Sequence, residues 1–159
     1  MKPDFALSLS SEGLSLLQRS GWDWILLGQV YLADADFDAR MDTLRKEALE
    51  RSRDANQVKL VIPNDQIKYY SISRPKDAQP EDIEKMIQLS LEAETPYTLS
   101  EISFDWVSNP ETVFVAAVAR QTLREAEEFA LLQGFQPLGN VAIAPEGNFI
   151  GEVFFGRAD

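Results

Sequence analysis

The sequence of 159 residues contains no cysteine and no histidine. Those two absences exclude much chemistry at once, because zinc fingers, thiolate nucleophiles, disulfide frameworks, haem ligation and the Ser-His-Asp triad each need one of them. Carboxylate, lysine, tyrosine and backbone chemistry remain. Long apolar runs are missing as well: the longest, Val113 to Ala119 and Trp24 to Leu27, fall far short of the ~20 residues of a membrane helix. A secretory signal needs an apolar run of ~7–15 residues near the start, and Asp4, Ser8, Ser10, Ser11 and Glu12 interrupt the opening. The expectation is a cytoplasmic chain with no direct membrane insertion. Positive charge is scarce: 15 Lys and Arg face 26 Asp and Glu, a net charge of −11. With no basic cluster larger than Arg51, Arg53 and Lys59, nucleic acid and anionic membranes are poor partners.

What is present is ordinary for a folded domain. Hydrophobic residues make up 45% and charged residues 26%, which argues against disorder or coiled coil and for one domain or two closely knitted subdomains. Residues 4–10 and 14–18 alternate between apolar and polar side chains, and the turn at Ser20 and Gly21 leads into a third strand with two tryptophans. Asp34, Asp36 and Asp38 sit where a helix N-terminus favours carboxylates, ahead of Phe37, Met41, Leu44 and Ala48 at helical spacing. A strand follows from Val58 to Ile62, closed by Pro63, and another from Ile67 to Ser73. Pro80 with Glu81 and Asp82 opens a second helix that Thr95 and Pro96 end. Strands over 102–108 and 112–119 come next, then a helix started or capped at Thr122 and ended by Gly134, and a last strand over 138–143. The alternation indicates the α/β class. Pro145 to Asp159 carries no legible element, yet Phe149, Phe154 and Phe155 argue that it packs on the body or on a partner.

Signatures of catalysis are sparse. Neither a Walker A loop nor a dinucleotide fingerprint occurs. The Asp34-x-Asp36-x-Asp38 run resembles the start of a calcium loop, but Ala39 holds the turn position and Arg45 the twelfth, so helix capping accounts for it better. Glu92 and Glu94, and Glu125, Glu127 and Glu128, read as solvated helix faces rather than acid/base pairs. Tyr69 and Tyr70 are adjacent in a strand, so alternation turns one away from the core, where it could anchor a partner. Tyr97 and Trp106 belong to the same aromatic group, for which core packing is the plainer reading.

Three passages taken in order resemble one family: VKLVIPNDQIKYYSISRP (58–75), EAETPYTLSEISFDWV (92–107) and FVAAVARQTLREAEEFALLQGFQPLGNVAIAPE (114–146). Together they look like the actin-like proteins of type IV pilus assembly (PilM) and the cytoplasmic part of the type II secretion component GspL. The resemblance implies an incomplete actin-like, ribonuclease H-like lobe made of 1–63 with 138–145. It also implies an inserted βαββα subdomain over 65–136, with 146–159 left as an acidic, Phe- and Gly-containing tail.

Family members that bind ATP carry Asp-x-Gly phosphate hairpins, and this sequence has no Asp-x-Gly; the matching hairpin reads Ser8-Leu9-Ser10-Ser11-Glu12-Gly13. The expectation is therefore a non-catalytic protein-interaction or scaffold module without cofactor or metal. By resemblance, its partner is a cytoplasmic segment of a membrane-complex protein, bound near the cleft between lobe and subdomain through Asn64, Tyr69, Arg74 and Tyr97. The chain would be cytoplasmic, or tethered to the inner membrane through a longer native chain or a partner. The alternative is a nucleotide-binding, ATPase-like module that works with a second lobe.

Overall fold

The computed structural model describes residues 3–158. Met1, Lys2 and Asp159, the outermost residues of the expected lobe and tail, lie outside it. In chain order the elements are β1 (Phe5–Leu9), β2 (Gly13–Ser20), β3 (Asp23–Tyr31), α1 (Phe37–Arg51), β4 (Gln57–Val61), β5 (Ile67–Ser73), α2 (Pro80–Glu94), β6 (Ile102–Ser108), β7 (Thr112–Ala119), α3 (Arg120–Leu132), β8 (Gln136–Ala142) and β9 (Val153–Arg157). Short 3₁₀ turns occupy Asn64–Gln66 and Leu99–Glu101.

The strands form two sheets, one of six in the order β3-β2-β1-β4-β8-β9 and one of three in the order β5-β7-β6. β1, β2 and β3 are an antiparallel meander, whereas β4 lies parallel to β1 and β8 parallel to β4. Period-2 alternation sends Phe5, Leu7, Leu14, Leu16, Val58 and Leu60 to one face of the large sheet, where α1 and α3 cover them. Removing any one of these fully buried leucines to alanine costs about 2–5 kcal/mol.

The small sheet is covered on both faces. Val113, Val115 and Ala117 of β7 face α2, packing with Ile83, Ile87 and Leu91, while Ala116 and Val118 face the core of the large sheet. Such two-sided burial explains why β7 reads as a continuous apolar run in the sequence. Tyr69 and Tyr70 therefore do not divide into an inward and an outward residue. Tyr69 packs against the larger core and Tyr70 against the smaller, both half-buried.

Expectations at the helix ends are corrected by tertiary context. Helix α3 places its buried Leu123 and Ala130 in the core of the large sheet. It begins at Arg120 rather than Thr122, because β7 runs directly into it and Arg120 Nε anchors the junction by donating to the Ile102 carbonyl at 3.1 Å. It does end as expected, with Gly134 at φ +87°. Asp36 occupies the N-cap position of α1 without capping it: its carboxylate instead accepts from Arg40 Nε at 3.2 Å. The final stretch, which carries no element in the sequence reading, contains β9. That strand pairs antiparallel with β8 and buries Val153 and Phe155 in the main core, while Phe154 stays exposed.

Candidate functional site

The β1–β2 hairpin closes on a single hydroxyl. Ser10 Oγ accepts from the backbone N–H groups of Glu12 at 3.3 Å and Gly13 at 3.2 Å, and donates to the Gly13 carbonyl at 3.2 Å. Amides that could otherwise face an anion are thus satisfied within the loop. Gly13 is required here by space, since a Cβ would drive into the Val30 carbonyl oxygen of β3.

Beside this hairpin lie two adjoining hollows. The first, about 270 Å³, lies between Leu9, Leu32, Ile62, Pro63 and Phe129. Its ionisable lining residues are Asp65 and Glu125, with no Lys or Arg among them. The second, about 290 Å³, runs past Tyr97, Pro96 and Lys68. Asp65, Gln66 and Thr122 line both, so the two form one groove over the 3₁₀ turn Asn64–Gln66 and the first turn of α3. Lys68, the one cation among the described residues lining either hollow, faces Glu94 at 3.8 Å. The groove is apolar along its floor and acidic at its rim.

Of the expected site residues, Tyr97 lines this groove and is 44% exposed. Asn64 stands on the intervening turn but its polar atoms are spent internally: Nδ2 donates to the Ile143 carbonyl at 2.8 Å, and Oδ1 accepts from the Tyr69 hydroxyl at 2.6 Å. Burial pushes the Tyr69 phenol up to about 12. Asn64 and Tyr69 therefore tie the start of the small sheet to the end of β8. Arg74 is not brought into the groove. It follows the other end of β5, whose seven residues span ~23 Å at the usual rise, and its Nη1 donates to Ser108 Oγ at 2.6 Å. The lining residues Leu9, Leu32, Asp65 and Phe129 escape sequence reasoning because each is an ordinary strand-end or helix residue until the fold gathers them.

No protein-family model matches the sequence, and no curated protein matches it. Solved structures do resemble it, among them these two. One is the cytoplasmic domain of EpsL, an inner membrane component of the type II secretion system of Vibrio cholerae, at 20% identity and TM-score 0.61, covering 89% of this chain and 60% of that one. The other is the PilM-PilN type IV pilus biogenesis complex, at 18% identity and TM-score 0.60, covering 86% of this chain and 46% of that one. The chain shares their fold. It is one actin-like lobe with an inserted small sheet, as the ordered sequence motifs imply, and it spans only part of each neighbour's length. Both neighbours are components of secretion or pilus assemblies. No helix among the described residues is long and apolar enough to cross a membrane.

Proposed function

We propose that this chain is a non-catalytic interaction module of a membrane-associated secretion- or pilus-type assembly, holding a segment of a partner protein in the groove beside Asp65. The observation that carries the proposal is the chemistry of the groove: Leu9, Leu32 and Phe129 offer apolar contact while Asp65 and Glu125 set a negative rim, and the described lining of that first hollow holds no Lys or Arg to receive a phosphate. Such a site suits an extended peptide with apolar anchors and flanking Lys or Arg, because buried apolar contacts supply affinity and complementary rim charges supply orientation and on-rate. The hairpin amides bound to Ser10 Oγ add to this reading, since a nucleotide would have to displace that contact.

Fluorescence anisotropy with synthetic peptides taken from the cytoplasmic segments of the host's inner-membrane assembly proteins tests it. A basic, apolar peptide should bind with an affinity that falls as salt rises, and Phe129→Ala or Asp65→Lys should weaken it at least tenfold. Binding that survives both changes places the partner elsewhere. The alternative of an ATPase-like module is tested by thermal unfolding with millimolar Mg-ATP: ligand at 100 times its dissociation constant adds ~2.7 kcal/mol of apparent stability. A shift of that size overturns the non-catalytic reading.

A further inference from the structure

Apart from the groove, the most unusual surface is the outer edge of the large sheet. β3 ends the strand order, so among the described residues one side of its backbone has no partner strand. Natural edges are protected by charged residues, Pro, bulges or a covering element. β3 has little of this: from Trp24 to Ala33 there is no charged residue and no Pro, and the one irregularity is a bulge at the step between Leu26 and Gly28. Its side chains are exposed on both faces of the sheet. Leu26 is 51% exposed, Tyr31 49% and Ile25 44%, and Trp22, in the turn just before the strand, is 101% exposed. The opposite edge of the same sheet is treated differently, because β6 side chains close β9.

We infer that β3 is a homodimerisation edge, pairing antiparallel with β3 of a second copy across a two-fold axis. Three features favour a copy of this chain over another occupant. A two-fold requires a self-complementary strand, and pairing centred on Leu27 sets Asp23 of each copy opposite Tyr31, so the one carboxylate of each strand meets no carboxylate. A net charge of −11 makes most approaches between copies repulsive, whereas here each touching segment carries a single carboxylate, at its end. The third feature is exposed apolar area. The four exposed side chains offer ~450 Å², and the edge backbone with half-buried Trp24 and Leu27 brings each copy toward the ~800 Å² per partner of a standard interface. This surface approaches the groove at Leu32, next after Tyr31, whereas Ile25 and Leu26 are not among the groove's lining residues, so changes there test the edge apart from the groove.

Sedimentation velocity of the full chain over roughly 1–100 µM, a range that detects micromolar association, decides the matter. The expected result is a species of twice the single-chain mass that Leu26→Lys and Ile25→Lys return to one chain, while Leu89→Lys, on the exposed face of α2, leaves it doubled. Should Leu26→Lys fail to fold by circular dichroism, Tyr31→Lys gives the same readout at the far end of the strand. A native chain that remains single across the range overturns the inference. So does a dimer untouched by every β3 change, or a single chain whose β3 amides become protected from exchange only on adding an apolar strand peptide.

Discussion

Asp105 Oδ2 accepts a hydrogen bond from the backbone N–H of Phe154 at 2.9 Å, joining β6 of the small sheet to β9 of the large one. Ser103, two residues earlier on the same strand, donates its Oγ proton to the Phe155 carbonyl at 2.8 Å. Side chains thus satisfy the outer edge of β9 where a neighbouring strand otherwise would. The same carboxyl group, through Oδ1, accepts from the Trp106 N–H at 2.9 Å.

Replacing Asp105 with alanine removes the acceptor for the Phe154 N–H. Because Phe154 is 46% exposed, water partly substitutes, and the cost is expected near ~1 kcal/mol rather than the larger penalty of a fully buried donor. Urea unfolding measures the loss, and native-state hydrogen exchange should localise it to the amides of β9.

The Tyr69 hydroxyl, donating to Asn64, links stability to alkaline pH. Its folded value is raised from 10.0 to about 12 by burial, so the folded state holds this proton more tightly than the unfolded chain. The contribution is complete below pH 10 and is lost as pH rises from 10 through about 12. Tyr70 is also raised, mainly by burial, so it adds to the same decline. In Tyr69→Phe the drop between those pH values should be shallower, and stability at neutral pH should fall by about 0.5–1.5 kcal/mol from the lost hydrogen bond. Chemical unfolding across the alkaline range checks both.

Lys59 is nearly buried, with its ammonium 2.6 Å from Glu152 and 4.8 Å from the centre of the Trp24 ring. Glu152→Ala strands that charge and should cost about 1–2 kcal/mol, less than a fully buried pair because Glu152 is half exposed. Lys59→Met keeps the stem packed and sheds the desolvation cost, so it should change stability by less than ~1 kcal/mol. A double-mutant cycle followed by tryptophan fluorescence separates the pair from the ring contact.

At Gly13, alanine would force β3 away from β2, since the added carbon meets the backbone of Val30 and lies 2.9 Å from Tyr31 Cα. Overpacking against backbone costs about 1–3 kcal/mol, which for a chain of this size lowers Tm by roughly 3–10 °C. Scanning calorimetry reads the shift directly.

Much of the architecture is legible locally. The alternation in Phe5–Leu9 and Ile67–Ser73, the Pro80 start of α2 and the Gly134 stop of α3 each follow from a short-range rule, and the elements lie where those rules place them. β9 is not legible because it is short and Gly156, at positive φ, interrupts its pattern; its burial comes from pairing with β8 and not from its own spacing. Tyr69 and Tyr70 misled because alternation says which face a side chain takes but not whether a second layer covers that face. Arg74 and Asn64 sit at opposite ends of β5, a separation that sequence proximity conceals. The groove was hardest to see, since Leu9, Leu32, Ile62 and Phe129 come from four separate segments.

β7 has a consequence for how the chain reaches its native state. Its odd-numbered Val113, Val115 and Ala117 complete one core while Ala116 and Val118 complete the other. A slip of one residue would exchange every side chain between the two compartments at once, burying Phe114 or Thr112 where valine now fits. A misregistered β7 would therefore be penalised in both compartments at once. Because one strand is shared by both cores, the two sheets are expected to melt together rather than in sequence.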